Sequence, residues 1–203
     1  MKEFWNERYQ QTAYAYGKLP NVFLAEHLSH LPPGRILFPA EGEGRNAVYA
    51  AQLGWEVTCF DQSDAGKEKA LALATELSVS IDYHVHTFME MNYPEESFDA
   101  IGLIYAHMPE ARRRINHQRM IQCLKPGGII ILEAFSKSHL YYRERNPDVG
   151  GPAVEDLLYS SDDIAADFAD LSTKLLAESE INLNEGVYHV GTGHVVRYFG
   201  RKA

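Results

Sequence analysis

Cysteine is scarce: Cys59 and Cys123 are the only two in 203 residues, far apart and in no C-x-x-C arrangement. That excludes a disulfide framework or a cysteine zinc site and makes a reducing, cytoplasmic setting the expectation. Long apolar runs are missing too. Nothing approaches the roughly 18 residues of a membrane span, and the opening segment, with Glu3, Glu7 and Arg8 among its aromatics, lacks the apolar core of a signal peptide. Positive charge is the minority sign, 19 Lys and Arg against 28 Asp and Glu, for a formal net charge of −9. Such a balance leaves no basic surplus to neutralise nucleic-acid phosphates. What remains is an ordinary globular composition, 45% hydrophobic and 23% charged, at a length that buries roughly 70% of its unfolded surface without a staple. The expected partner is a small molecule, with neither nucleic acid nor membrane, and the expected state a monomer or homodimer.

From Arg35 onward short apolar runs alternate with helical spacing, the sequence form of a parallel sheet covered by helices. The runs Arg35 to Phe38, Trp55 to Phe60, Ile81 to His86, Phe98 to Ile104 and Gly128 to Ala134 predict strands. Arg45 to Leu53, Asp64 to Leu77 and Glu110 to Leu124 place apolar residues three and four apart and predict helices. Pro32-Pro33-Gly34 separates this core from a leading segment in which Val22 to Leu31 has helical spacing. After Ala134 comes a polar stretch, Ser136 to Asp156, expected to be a long and functional or mobile connection. Ser160 to Asp163 is a helix start, and Thr173 to Leu183, the turn Asn184-Glu185-Gly186 and Val187 to Gly200 predict a hairpin.

The most informative stretch runs from Ile36 to Ala47, where a strand enters a turn, Ala40-Glu41-Gly42-Glu43-Gly44, that opens a helix. Glycine there lets the chain turn tightly and lets a ligand approach the backbone, while the helix N-terminus favours polar and anionic groups. The second strand ends in Asp61, about 20 residues beyond Gly42, where an acid can accept hydrogen bonds from both hydroxyls of a ribose. A nucleoside-containing cofactor follows. Gly42, Gly44 and Ala47 satisfy G-x-G-x-x-G/A, so a nicotinamide dinucleotide and an adenosyl-sulfur cofactor are both open at this point.

The glycine turn, Val57-Thr58-Cys59-Phe60-Asp61, the approach Pro94 to Ile101 and the turn Leu124-Lys125-Pro126-Gly127-Gly128 together resemble the class I S-adenosylmethionine-dependent methyltransferases over nearly the whole chain. Phe4-Trp5-Asn6-Glu7-Arg8-Tyr9 and Tyr14 to Asn21 are similar to the N-terminal caps of the tellurite-resistance and thiopurine type. The resemblance implies a Rossmann-like α/β fold: a seven-stranded, mostly parallel sheet with helices on both faces and an antiparallel C-terminal hairpin. It implies one methyltransferase domain over 1–203, with 1–33 as cap, 34–134 as cofactor-binding core and 135–203 as substrate side. It also implies methyl transfer from S-adenosyl-L-methionine, leaving S-adenosyl-L-homocysteine, to a sulfur, selenium, tellurium or oxygen atom of a small molecule. The sequence departs from that pattern at Phe38, where the family usually has an acid, and at Ala40, where it has its first glycine. The rivals are a nicotinamide-dependent oxidoreductase and a non-catalytic cofactor- or partner-binding protein of the same fold.

The expected cofactor contacts are Ala40, Glu41, Gly42, Gly44, Asn46, Asp61, Gln62, Thr87, Phe88, Tyr105 and Tyr16. Glu41 either faces the ligand's ammonium or solvates the turn. Gln62 and Phe88 flank the adenine, with a backbone amide near Thr87 completing the contact. Tyr105 and His107, just past the fourth strand, line the transfer site, with His107 a wall or orienting residue in preference to a base. Tyr9, Tyr14 and Tyr16 are candidates for a lid or for packing. The pairs His84/His86 and His27/His30 have no added carboxylate or thiolate at ligand spacing and are expected at the surface, with no metal. Arg112-Arg113-Arg114 is expected to be a solvated helix face or an interchain contact.

Overall fold

The computed structural model describes residues 1–203. A capping segment carries α1 (Lys2–Tyr9) and α2 (Val22–Leu28), followed by β1 (Arg35–Pro39), α3 (Arg45–Gln52), β2 (Glu56–Asp61), α4 (Asp64–Glu76), β3 (Asp82–Val85), β4 (Phe98–Ile104), α5 (Glu110–Cys123) and β5 (Leu124–Phe135). The chain ends with α6 (His139–Arg145), α7 (Ser161–Asp167), β6 (Leu171–Glu185) and β7 (His189–Lys202). The seven strands form one sheet in the order β3-β2-β1-β4-β5-β7-β6. β1 to β5 run parallel, while β7 is antiparallel to both β5 and β6.

The apolar runs become central strands because both faces of the sheet are covered. Side chains alternate between two cores, as the period of two demands. Leu37, Ile101, Leu103, Ile130 and Leu132 face Met120 of α5 and Ile164 of α7. Ile36, Phe38, Ala100, Ile129 and Ile131 face Phe23 and Leu24 of α2 and Ala47 of α3. Phe38 fills this second core, and Gly102 makes room for it: a Cβ there would lie 2.3 Å from the Phe38 ring.

Two expectations need correction. The stretch Ser136 to Asp156 is not an open loop, since it contains α6 and short 3-10 turns at Pro147–Val149 and Glu155–Leu157. His139 is fully buried, its ring 4.0 Å from that of Phe135, and Val149, Leu158, Leu183 and Val195 complete a small third core. The Arg112-Arg113-Arg114 run is likewise not a uniformly solvated face, because Arg113 turns inward and is 5% exposed. Its Nε donates to Asp167 Oδ2 at 2.7 Å and its guanidinium lies 3.2 Å from Asp163, while His117 Nδ1, one turn on, shares Asp167 at 2.8 Å.

This cluster ties α5 to α7, and removing Asp167 leaves the buried Arg113 to Asp163 alone and His117 Nδ1 without an acceptor. Asp167→Ala should lose about 1 to 3 kcal/mol of unfolding free energy, measured by urea titration. Burial opposes ionisation at Asp163, but the Ser160 and Lys137 hydrogen bonds and the Arg113 charge outweigh it and hold its carboxyl at about 2. Its contribution to stability is present above the unfolded value of about 4 and is lost as pH falls toward 2. Asp163→Asn should therefore flatten the pH dependence of stability in that window, and an unchanged slope would refute the assignment.

Candidate functional site

The parallel strands deliver their carboxyl ends to one edge of the sheet, and the distinctive side chains gather there. After β1 the backbone leaves the strand through Ala40 (φ 54°), Gly42 (φ 61°) and Gly44 (φ 86°). Gly44 caps α3 in a left-handed conformation, and a Cβ on it would lie 2.5 Å from that of Ala70 on α4, so no other residue lets the two helices meet.

Two carboxylates bracket this turn. Glu41 Oε1 accepts from the backbone N–H groups of Asn46 and Ala47, each at 2.8 Å, and so caps α3 from inside. Asp61 accepts through Oδ2 from Gly42 N–H at 3.2 Å and through Oδ1 from Ser63 N–H at 2.9 Å. Both are buried and neither has an ion-pair partner. Burial pushes the Glu41 carboxyl up to about 7 and that of Asp61 up to about 6. Acids so placed attract a cation or hydroxyl donors. The backbone of His86 bonds to the carbonyl of Asp61 at 3.1 Å, which sets Gln62 beside Thr87 and Phe88. Thr87 commits its N–H and hydroxyl to Glu90, each at 2.9 Å, and Phe88 packs edge-on against Phe60 at 5.3 Å. Asn46 spends its side-chain oxygen on the N–H of Asn21, tying the capping segment to α3.

Beyond β4, Tyr105 holds a left-handed backbone (φ 52°), and its hydroxyl donates to the buried Glu133 at 2.8 Å. Its ring stacks on Phe135 at 4.7 Å and meets His189 edge-on at 4.8 Å. Tyr16 approaches the same histidine at 4.4 Å and accepts a hydrogen bond from Arg8 at 2.8 Å. Tyr16, Tyr105 and His189 thus converge on one point. His107 lies parallel to Phe135 with ring centroids 5.7 Å apart, its Nδ1 donating to Leu157 O at 2.7 Å and its Nε2 accepting from Phe135 N–H at 3.3 Å. With both ring nitrogens engaged and burial pushing its pKa down to about 3, it is a neutral wall.

The capping segment closes over this edge. Tyr9 lies on the glycine turn, where a Cβ on Gly42 would meet its hydroxyl at 2.6 Å, and Asn6 accepts from Ser63 Oγ at 2.7 Å. Tyr14 instead binds the Lys69 carbonyl of α4 at 3.0 Å. No group of three or more His, Cys, Asp or Glu side chains is arranged to hold a metal ion, and no helix is long and apolar enough to cross a membrane.

His189, Glu185 and Arg45 were not read as site residues: Arg45 fills an unassigned position of G-x-G-x-x-G/A, and Glu185 and His189 entered only as parts of the hairpin. The signal was present as an acid and a histidine at i and i+4 around a Gly turn. In a tight hairpin these positions stand directly opposite and on one face, and the register pairs Glu185 with His189.

Residues 36–128 match the family described as a methyltransferase domain. Among curated relatives, a ubiquinone/menaquinone biosynthesis C-methyltransferase of Geotalea daltonii is 26% identical over 145 residues, 64% of this chain and 61% of the relative. A ubiquinone biosynthesis O-methyltransferase of Alkalilimnicola ehrlichii is 29% identical over 123 residues, 59% of this chain and 49% of the relative. The chain thus spans between about half and three fifths of the length of these two proteins. A solved structure from work on the conversion of a disulfide bond into a thioacetal group during echinomycin biosynthesis superposes with a TM-score of 0.79 at 19% identity, covering 100% of this chain and 92% of the other. TehB from Haemophilus influenzae gives 0.72 at 16% identity, covering 100% of this chain and 67% of its own. The fold is that of the class I S-adenosylmethionine-dependent methyltransferases.

Glu41 makes the stability of the ligand-free protein depend on pH. Its carboxyl is raised above the unfolded value, so its neutral form favours the fold below about pH 4.5, and that contribution is lost as pH rises through about 7. Glu41→Gln keeps an acceptor for the N–H groups of Asn46 and Ala47 while removing the charge. The variant should melt near wild type at pH 5 and above it at pH 8, and equal destabilisation at both pH values would refute this account.

Proposed function

We propose that the chain is an enzyme that transfers the methyl group of S-adenosyl-L-methionine to a sulfur, selenium, tellurium or oxygen atom of a small molecule. The observation that carries this reading is the pair of buried carboxylates without counter-ions, Glu41 and Asp61, set on either side of a glycine turn at the carboxyl ends of β1 and β2. Each Asp61 oxygen holds one backbone N–H and keeps a further lone pair, enough to accept both hydroxyls of a ribose. Glu41 supplies negative charge beside Ala40, Gly42 and Gly44 for an ammonium, and Gln62, Thr87 and Phe88 stand where β2 and β3 end, to flank an adenine. When bound, the cofactor supplies an electrophilic methyl carbon on a cationic sulfur, and transfer is an in-line displacement.

The protein's task is then alignment and exclusion of water. Tyr105 and Tyr16, both largely buried, close the acceptor side, and His107, bonded at both ring nitrogens, stiffens the wall beside Phe135. His189 is held neutral by burial and receives the proton of an acceptor that must lose one. We read residues 1–33 as the cap over the cofactor, 34–134 as the cofactor-binding core and 135–203 as the acceptor side. The oxidoreductase alternative is disfavoured by topology, since β7 enters antiparallel between β5 and β6, whereas the dinucleotide fold continues in parallel.

Titration calorimetry with S-adenosyl-L-homocysteine tests the cofactor. Asp61→Ala should weaken binding by about 1 to 3 kcal/mol through two lost hydroxyl contacts. Unchanged affinity would remove Asp61 from the site, and binding of NAD in place of the adenosyl-sulfur ligand would overturn the methyltransferase reading. Turnover against a panel of thiols, selenite, tellurite and phenols identifies the acceptor class.

A further inference from the structure

The hairpin turn gathers three charged or titratable side chains from three elements into one buried line. Glu185 ends β6, His189 opens β7 and Arg45 is the first residue of α3, directly after the glycine turn. The same oxygen of Glu185, Oε2, accepts from Arg45 Nη2 at 3.0 Å and from His189 Nδ1 at 2.9 Å. Side-chain exposures of 8%, 14% and 5% for Arg45, Glu185 and His189 keep water from competing for these bonds. The other amino group of Arg45 donates to the carbonyls of Tyr16 and Leu19, so the guanidinium cannot swing away from the acid it holds.

We propose that Glu185 is a positioning residue of the transfer site: anchored by Arg45, it fixes His189 as the tautomer that carries its proton on Nδ1 and leaves the lone pair on Nε2. An ionised carboxylate only accepts hydrogen bonds, so the 2.9 Å contact places the proton on Nδ1. Burial opposes ionisation of Glu185, but the His189 hydrogen bond and the Arg45 charge outweigh it and hold the carboxyl at about 2. Nε2 has no hydrogen-bond partner within the protein and is not sealed from solvent, whereas both ring nitrogens of His107 are committed to the backbone. His139 is committed in the same way, with Nε2 donating to Gly150 O at 3.1 Å and Nδ1 accepting from His194 N–H at 3.2 Å. Of the three histidines around Phe135, His189 alone keeps a free nitrogen.

The inference rests on the methyl-transfer reading and deepens it. In that reaction Nε2 takes the proton that the acceptor loses as the acceptor's bond to carbon forms and the carbon–sulfur bond breaks, its electron pair passing to sulfur. The imidazolium so formed faces Glu185, which offsets its charge until the proton leaves to solvent. An acceptor with a hydroxyl or thiol proton needs this device, and an anion already stripped of its proton does not.

Ring-15N spectroscopy of the full chain tests the assignment without an acceptor, with the His189 signals identified by their loss in His189→Asn. Wild type should show a single Nδ1–H tautomer. Glu185→Gln should show mixed tautomers and a lower His189 pKa, because the acid is gone while the positive charges of Arg45 and Arg8 remain and Tyr16, Tyr105, His107 and His139 are unchanged around it. Glu185→Asp, which keeps the charge, should restore the Nδ1–H form and covers the case in which the glutamine variant does not fold. With the most active phenol or thiol of the panel, Glu185→Gln should lower kcat at least about tenfold, with affinity for S-adenosyl-L-homocysteine within about twofold of wild type. A wild-type Nε2–H tautomer, or an unchanged tautomer and pKa in Glu185→Gln, would overturn the proposal. Failure of wild type to bind S-adenosyl-L-homocysteine would instead sink the methyl-transfer reading and leave the spectroscopic result on the dyad standing.

Discussion

Much of this structure depends on one buried guanidinium. Arg45 sits where the glycine turn becomes α3, and a charge with so little access to water must be fully partnered or it destabilises the fold. Its partners come from far along the chain: Tyr16 and Leu19 of the capping segment on one side and Glu185 of the C-terminal hairpin on the other. The cofactor turn, the cap and the acceptor-side strands are thereby fixed to one another through a single side chain. The same demand for satisfaction explains Asn21 and Arg197, which converge on the buried Glu133 from the cap and from β7 at 2.6 Å each.

The site follows from topology before it follows from any residue. Parallel strands must end on one edge, and there β1 and β4 run into residues that cannot continue the strand while β2 ends in a buried acid. Ala40 and Tyr105 adopt left-handed backbone, and Asp61 turns its carboxylate back onto Gly42. Left-handed backbone at Ala40 and Tyr105 and the buried carboxylates of Glu41 and Asp61 thus meet at this rim, a pattern that accompanies sites where stability is traded for chemistry.

The sheet core was legible because its strands are covered on both faces and so appear as apolar runs. Four of the five predicted parallel strands match the observed ones to within about two residues, and β5 begins earlier, at Leu124. The hairpin was legible through its turn. Helix α6 was not, because Tyr141, Arg143, Glu144 and Arg145 give it the polarity of a loop, and His139 and Leu140 are its anchors in the third core. Arg113 was misjudged for a related reason: composition shows a basic run, while the helical period that turns its middle member inward matters only once Asp163 and Asp167 arrive from α7. The glycine turn and Asp61 follow a local spacing and were visible. The Arg45, Glu185 and His189 line joins residues 140 positions apart and has no local spacing to see.

The contact between Gly17 and Gly186 bears on how the molecule is made. A Cβ on Gly186 would lie 2.4 Å from Gly17 N, and the Ala15 carbonyl accepts from Val187 N–H at 2.9 Å, so the cap docks backbone to backbone on the hairpin turn. Residues 15–17 leave the ribosome long before residue 186 has been added. During synthesis α1 and Tyr14 can already seat on α4, while residues 15–17 wait for the hairpin turn that completes their backbone contacts. A nascent chain halted short of residue 186 holds its cap only by the contacts of Asn6, Tyr14 and Ala15 to the core, and the backbone docking of Gly17 on Gly186 comes after the parallel strands have been made.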